Sequence, residues 1–90
     1  MMAEIEKKKP SENEKKSMLD NWSTWGCEIS TFDWEYSDKE TCYIIEGEVD
    51  VKTESGKTVN IKAGDLVTFQ KGLKCEWDVK KPIRKVYKFG

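Results

Sequence analysis

Residues 46–69 read EGEVDVKTESGKTVNIKAGDLVTF, and the period of their apolar positions decides the fold. Val49 and Val51 fall on one face, Asp50 and Lys52 on the other, which is the two-residue repeat of a half-buried strand. ESGK at 54–57 is a hairpin turn signal, with Gly56 free to take a positive φ. TVNIK at 58–62 alternates again through Val59 and Ile61. AGD at 63–65 turns the chain into LVTF at 66–69.

The pattern continues in both directions. YIIEGEVDVKT (43–53) completes the first strand. Downstream, QKG (70–72) turns the chain, and KCEWDV (74–79) places Cys75, Trp77 and Val79 on one face. KKP (80–82) reads as a break before a last strand, IRKVYKF (83–89). There Ile83, Lys85, Tyr87 and Phe89 share one parity, so a lysine sits on an otherwise apolar face. Upstream, β patterning begins at Trp34, and NWSTWGCEISTF (21–32) is turn-rich around Trp22 and Trp25. SENE at 11–14 is a capping box, Ser11 accepting from the Glu14 amide while Glu14 reaches back. It predicts a short peripheral helix over about 11–19, ending near Asp20 and Asn21, with Met18 and Leu19 as its apolar anchor. Residues 1–9 are polar, with a weak alternation around Ala3 to Ile5 that suits an edge strand or a tail. Short strands between glycine-containing turns predict an all-β antiparallel barrel or sandwich. The chain divides into an amino-terminal strand or tail and helix (1–20) and a barrel domain (21–90).

Ninety residues suit one small domain, whose core must be efficient or supported by a partner subunit. Ten aromatic residues, four of them Trp, are enough to build it although 37% of the chain is charged. A net charge of −1 gives no general basic field for nucleic acid. The charge is uneven: residues 28–54 hold nine acids against Lys39 and Lys52, and residues 71–90 hold seven bases against Glu76 and Asp78. Neighbouring strands with opposed charges on their solvent faces account for this; a basic surface for a phosphate or nucleic acid is the alternative. The first nine residues, MMAEIEKKK, lack the apolar run of a signal peptide, and no later run suits a membrane span. Cys27, Cys42 and Cys75 form no C-x-x-C, so neither a disulfide framework nor a structural zinc site is expected. Free thiols in a reducing cytoplasm are the expected setting.

The spacing of residues 34–79 carries the functional argument. It runs Trp34, one residue, Tyr36, three residues, Glu40, six residues, Gly47. It resumes at Gly64, five residues, Gln70, Lys71, Gly72, two residues, Cys75, three residues, Val79. These intervals resemble the two motifs of the RmlC-like cupin superfamily, H-x-H-x(3,4)-E-x(6)-G and G-x(5)-P-x-G-x(2)-H-x(3)-N. Trp22 and Trp25, Phe32 to Gly47, Gly64 to Val79 and Pro82 to Tyr87 are similar to the small single-domain cupins of the (S)-ureidoglycine aminohydrolase-like family (cupin_3, DUF861). Gln70 departs from that pattern, which usually has Pro. The resemblance covers roughly residues 30–89 and implies a jelly-roll β-barrel.

In metal-binding cupins the corresponding positions hold the ion; here they are Trp34, Tyr36, Glu40 and Cys75. The chain has no histidine, Trp offers no ligand atom, and Tyr ligates only as a phenolate, so no metal or other cofactor is expected. Two readings of these residues stay open. In one, Trp34, Tyr36 and Trp77 wall a pocket in which Glu40 and Lys85 orient a small molecule and Cys75 stands at the former ligand position. A carboxylate among aromatic rings suits a cationic or amine-bearing ligand, with sugars and ureides as alternatives. In the other, the barrel is filled and Glu40 pairs internally with Lys85. An enzyme using Glu40 and Tyr36 as acid and base is implied by metal-free epimerases and isomerases of the superfamily. A dimerisation module with a filled barrel is the non-catalytic alternative; a homodimer fits either reading. Cys75 as a nucleophile would need Lys85 beside it, and Cys42, of the same parity as Glu40, is a core filler that could reach the cavity.

Overall fold

A computed structural model describes residues 4–90; the Ala3 end of the expected amino-terminal alternation lies outside them. In chain order the elements are β1 (Ile5–Lys8), α1 (Glu12–Asn21), β2 (Ser23–Cys27), β3 (Ser30–Glu35), β4 (Glu40–Thr53), β5 (Thr58–Lys62), β6 (Leu66–Phe69) and β7 (Lys74–Phe89). All pairing is antiparallel.

Two long strands organise the barrel. β4 and β7 pair along nearly their whole length, from Glu40 opposite Phe89 to Thr53 opposite Cys75. At one end their ladder is extended by β6 and β1 beyond β4 and by β2 beyond β7. At the other it is extended by β5 beside β4 and β3 beside β7. The long strands therefore pass from one layer to the other, and the corner lies at the register irregularities between Ile44 and Val49. There the inward face changes parity: Glu40, Cys42 and Ile44 before it, Val49, Val51 and Thr53 after it. A strand keeps one face inward across such a slip only by bulging. Gly47 provides the bulge, with φ 99° and with Pro82 O only 2.2 Å from where a Cβ would stand.

β7 corrects one sequence expectation. KKP does not break the strand, which runs unbroken from Lys74 to Phe89. Pro82 lies at the irregular stretch opposite Gly47, where the missing N–H interrupts no regular ladder. A second correction concerns residues 21–32, which contain β2 and the start of β3, so strand structure begins before Trp34.

The main core joins both layers through Ile44, Val49, Val51, Ile61, Val67, Phe69, Trp77, Val79 and Ile83. A smaller cluster on the outer face, Met18, Tyr43, Leu66 and Val86, is where α1 docks. The capping box forms as expected: the Glu14 amide donates to Ser11 Oγ at 3.2 Å and the Ser11 amide to Glu14 Oε1 at 3.0 Å. The helix ends at Asn21, where the sequence places its stop near Asp20 and Asn21. The AGD turn is held by Asp65, which accepts from the Lys62 amide at 3.0 Å and meets Lys9 Nζ at 2.6 Å. The opposed charge segments do become neighbouring strands, with Glu46 facing Arg84 and Lys52 facing Glu76 across the β4–β7 ladder. Among the described residues no helix is long and apolar enough to cross a membrane.

Candidate functional site

The ladder itself builds the site. At the end where β4 begins and β7 finishes, Glu40 stands between Phe69 of β6 and Phe89 of β7. Two inward positions along β7, Lys85 stands between Ile44 of β4 and Trp25 of β2. The four-carbon stem of the lysine covers that offset, and its Nζ donates to Glu40 Oε2 at 2.7 Å. Both side chains are buried, 7% and 6% exposed.

Two charges in such a place are tolerated only because each satisfies the other and the surroundings favour the cation. Lys85 Nζ lies 4.8 Å from the Trp77 ring centroid, 4.9 Å from that of Trp25 and 5.9 Å from that of Tyr87. The ring faces add attraction to the carboxylate's own. The aromatics form a continuous network. Tyr36 stacks on Phe69 at 4.7 Å, Phe69 leans on Trp77, Phe32 stacks on Trp77, and Trp25 meets both Phe32 and Trp77 edge-on. Trp34, 49% exposed, closes the outer rim edge-on to Tyr36.

These groups enclose a cavity of about 160 Å³. Of the residues that the sequence singles out, Trp34, Tyr36, Glu40, Trp77 and Lys85 border it. Cys75 is the exception. In register it faces Trp34 on one side and Thr53 on the other, at the opposite end of β7 from Lys85, and it borders a separate open hollow. Cys42 is wholly buried in the main core. Trp25, Phe32, Tyr87 and Phe89 complete the lining. Parity was the signal for them. Phe32 shares a face with Trp34 and Tyr36, and Tyr87 and Phe89 share one with Lys85; Trp25 needed the β2–β7 register, which no local pattern reveals.

The local electrostatics leave little reactive chemistry outside the Glu40–Lys85 pair. Burial, then the negative charge of Glu40, pushes the Tyr36 phenol well above its ordinary range, so Tyr36 stays protonated. Burial pushes the Cys42 thiol up to about 12. Burial also raises Cys75, to about 11 against a lowering influence of the Trp77 indole, so it is not an activated nucleophile. The Trp77 indole lowers the Tyr36 phenol and the Cys75 thiol against the effect of burial, yet among the described residues its Nε1 reaches no acceptor in hydrogen-bond geometry. It is a buried donor without a partner, a rare state for an indole in a packed core.

The family model of the EutQ-like cupin domain matches residues 14–87. The chain is a EutQ-like cupin. A DUF861 family protein from Thermotoga maritima is 48% identical, with a TM-score of 0.92 over 97% of this chain and all of that one. A putative ethanolamine utilization protein Q from Salmonella typhimurium superposes with a TM-score of 0.66 at 23% identity, over 94% of this chain and 68% of that one. The EutQ protein of Clostridium difficile gives the same TM-score at 24% identity, over 92% of this chain and 64% of that one. The last two likenesses concern the fold. No curated protein matches the chain.

Many cupins hold a metal ion, and the four corresponding positions of this cupin do not suit one. Trp34 has no ligand atom, Tyr36 keeps its proton, Glu40 is occupied by Lys85, and Cys75 is packed in the main core with its thiol protonated. Among the described residues no group of three or more Cys, Asp or Glu converges as a ligand set would.

Proposed function

We propose that this cupin binds a small, flat molecule in the aromatic end of its barrel, without a metal ion. The observation that carries the reading is the Glu40–Lys85 pair, which projects polar atoms into a cavity otherwise walled by aromatic rings. Few polar groups on an apolar lining is the usual make-up of a small-ligand site. The size of the cavity restricts the guest. A void of about 150 Å³ accepts benzene, so about 160 Å³ suits a single ring or a chain of similar bulk and excludes nucleotides and oligosaccharides.

The position of Lys85 revises the expected ligand charge. The site that an amine would take, between Trp25 and Trp77 and against Glu40, already holds the lysine's own ammonium. A guest bearing a carbonyl or carboxylate oxygen complements what remains: the lysine N–H groups and the rings. A ureide of suitable size carries such an oxygen. The enzyme reading with Tyr36 as a base loses support from a phenol held protonated; any proton transfer here belongs to Glu40 and Lys85.

Tryptophan fluorescence and calorimetry test this with three sets of compounds: aromatic amides and acids, ureides, and amines. Ethanolamine belongs among the amines because the Salmonella relative is described as a putative ethanolamine utilization protein. The amides or acids are expected to bind, and Trp34→Ala to weaken them by about threefold to tenfold, the contribution of one aromatic contact. Trp34 is half-exposed, so its removal spares the core. Silence across all three sets would leave the cavity as a packing gap and end the proposal.

A further inference from the structure

We propose that Lys85 is a covalent anchor: it captures a small aldehyde or ketone as an imine, with Glu40 moving the protons. This rests on the small-molecule reading of the same cavity and names its guest. Three observations support it. Lys85 is a primary amine buried in an aromatic enclosure, yet it borders an open cavity. A carboxylate oxygen stands 2.7 Å from its nitrogen, within reach for direct proton transfer. Two indole faces about 5 Å away stabilise a cation at that nitrogen. The imine product carries its positive charge there too, so the rings and Glu40 stabilise the end of the reaction as they do the beginning. Lysines desolvated in apolar pockets are the usual nucleophiles for carbonyl carbon.

The steps balance without any further reactant. The Lys85 ammonium passes one proton to Glu40 Oε2, which frees the Nζ electron pair. That pair bonds to the carbonyl carbon as the carbonyl π pair moves to oxygen, and Glu40 returns its proton to that oxygen. Glu40 then takes a second proton from nitrogen and delivers it to the hydroxyl. The hydroxyl leaves as water while the nitrogen pair closes the C=N bond. Ammonium and carbonyl compound have become a protonated imine and water, and Glu40 is again a carboxylate beside a cation.

The test uses the full chain, benzaldehyde as the electrophile and benzamide as a flat analogue that forms no imine. Borohydride reduction followed by peptide mass mapping locates the adduct. Lys85 is expected to carry at least about tenfold more label than the average of the other lysines, and benzamide to compete for it. Glu40→Gln should lower the Lys85 label by at least about tenfold, a modest share for a general acid–base group, with the surface lysines as internal standard. Label spread evenly over the lysines, while benzamide still quenches the indole fluorescence, would overturn the imine and leave the binding site standing. If neither compound alters fluorescence and Lys85 is not selectively labelled, the imine falls, while the binding reading falls only when the amides and acids, the ureides and the amines are all silent. The wild-type label needs no variant, so poor folding of Glu40→Gln would not rescue the proposal.

Discussion

Glu40 and Lys85 hold opposite charges inside an apolar enclosure, so the stability of each depends on the other. Removing one partner of a buried pair typically costs about 3–5 kcal/mol, because the remaining charge has no solvent to return to. Lys85→Met should therefore destabilise by about that much in urea denaturation. Glu40→Gln should cost less, about 2–3 kcal/mol, since the amide still offers Lys85 an acceptor. The double variant removes both charges and should fall short of the sum by about 2 kcal/mol, a coupling in the range of contacting residues. Additive losses would mean that the two do not act as a pair. Asp65 gives a second prediction, in pH. Burial alone would raise its carboxyl, but the Lys9 ammonium and the Lys62 amide outweigh burial and hold it below the ordinary aspartate value. A group depressed in the folded state binds fewer protons there than when unfolded. Its contribution is whole above the unfolded value, near pH 4, and is lost as pH falls through the lower folded value. Lys9 is 67% exposed, so the amide bond carries most of the effect, on the order of 1 kcal/mol. Asp65→Asn should thus lower the urea midpoint at pH 7 and flatten its decline between pH 5 and pH 2. An unchanged acid slope would contradict this.

β4 and β7 turn the barrel's corner together, and the geometry there rests on one missing side chain. A Cβ on Gly47 would stand 2.2 Å from Pro82 O and 2.9 Å from Lys81 O, and φ 99° is strained for any L residue. Neither obstacle is the tip of a flexible side chain, so the backbones would have to part. Gly47→Ala should cost about 3 kcal/mol or more, combining left-handed strain with the clash. Gly56→Ala has the same sign of φ but open space around it, so it should lose only about 1 kcal/mol. Equal midpoints for the two variants would remove the corner argument. The same corner explains which strands were legible in the sequence. β5 and the Val49–Val51 part of β4 alternate cleanly because one face is core and the other solvent, whereas β6 reads as a short apolar run because its second face is covered where α1 docks. β7 read as two strands because a proline inside a strand looks like a break until its partner is known to bulge opposite it. β2 and β3 read as turns because their Ser, Thr and Gly letters are turn letters too. Their apolar residues, Trp25 and Trp34 among them, stay half-exposed at the cavity rim and leave a weak alternation.

The barrel as a whole has the glycine framework of a cupin and a different chemistry at its mouth. The framework was legible because turns and bulges demand glycine at fixed intervals, from Gly47 to Gly64 and Gly72, all with positive φ. The pairing of Glu40 with Lys85 was open to inference from parity, a lone charge on each of two inward faces. That Cys75 packs in the core and borders a separate hollow was not, because motif spacing locates a residue along a strand but not which of two hollows it borders. This arrangement makes a metal-independent molecule the expected outcome, and stability measures it sensitively. A ligand present at a hundred times its dissociation constant stabilises a protein by about 2.7 kcal/mol. For a domain of this size each kcal/mol moves the melting temperature by about 4–8 °C, so a tightly held ion would contribute on the order of 10 °C. Chelator treatment should leave the melting temperature of this cupin within about 1 °C, a loss of less than about 0.3 kcal/mol. Addition of zinc, nickel or ferrous ion should likewise produce no saturable rise. Elemental analysis of the purified chain should find well under one equivalent of any transition metal. A fall of several degrees on chelation, reversed by one ion and sensitive to Glu40→Gln, would mean that Glu40 leaves Lys85 to bind that ion, and the assignment of the pair to an organic guest would have to be abandoned.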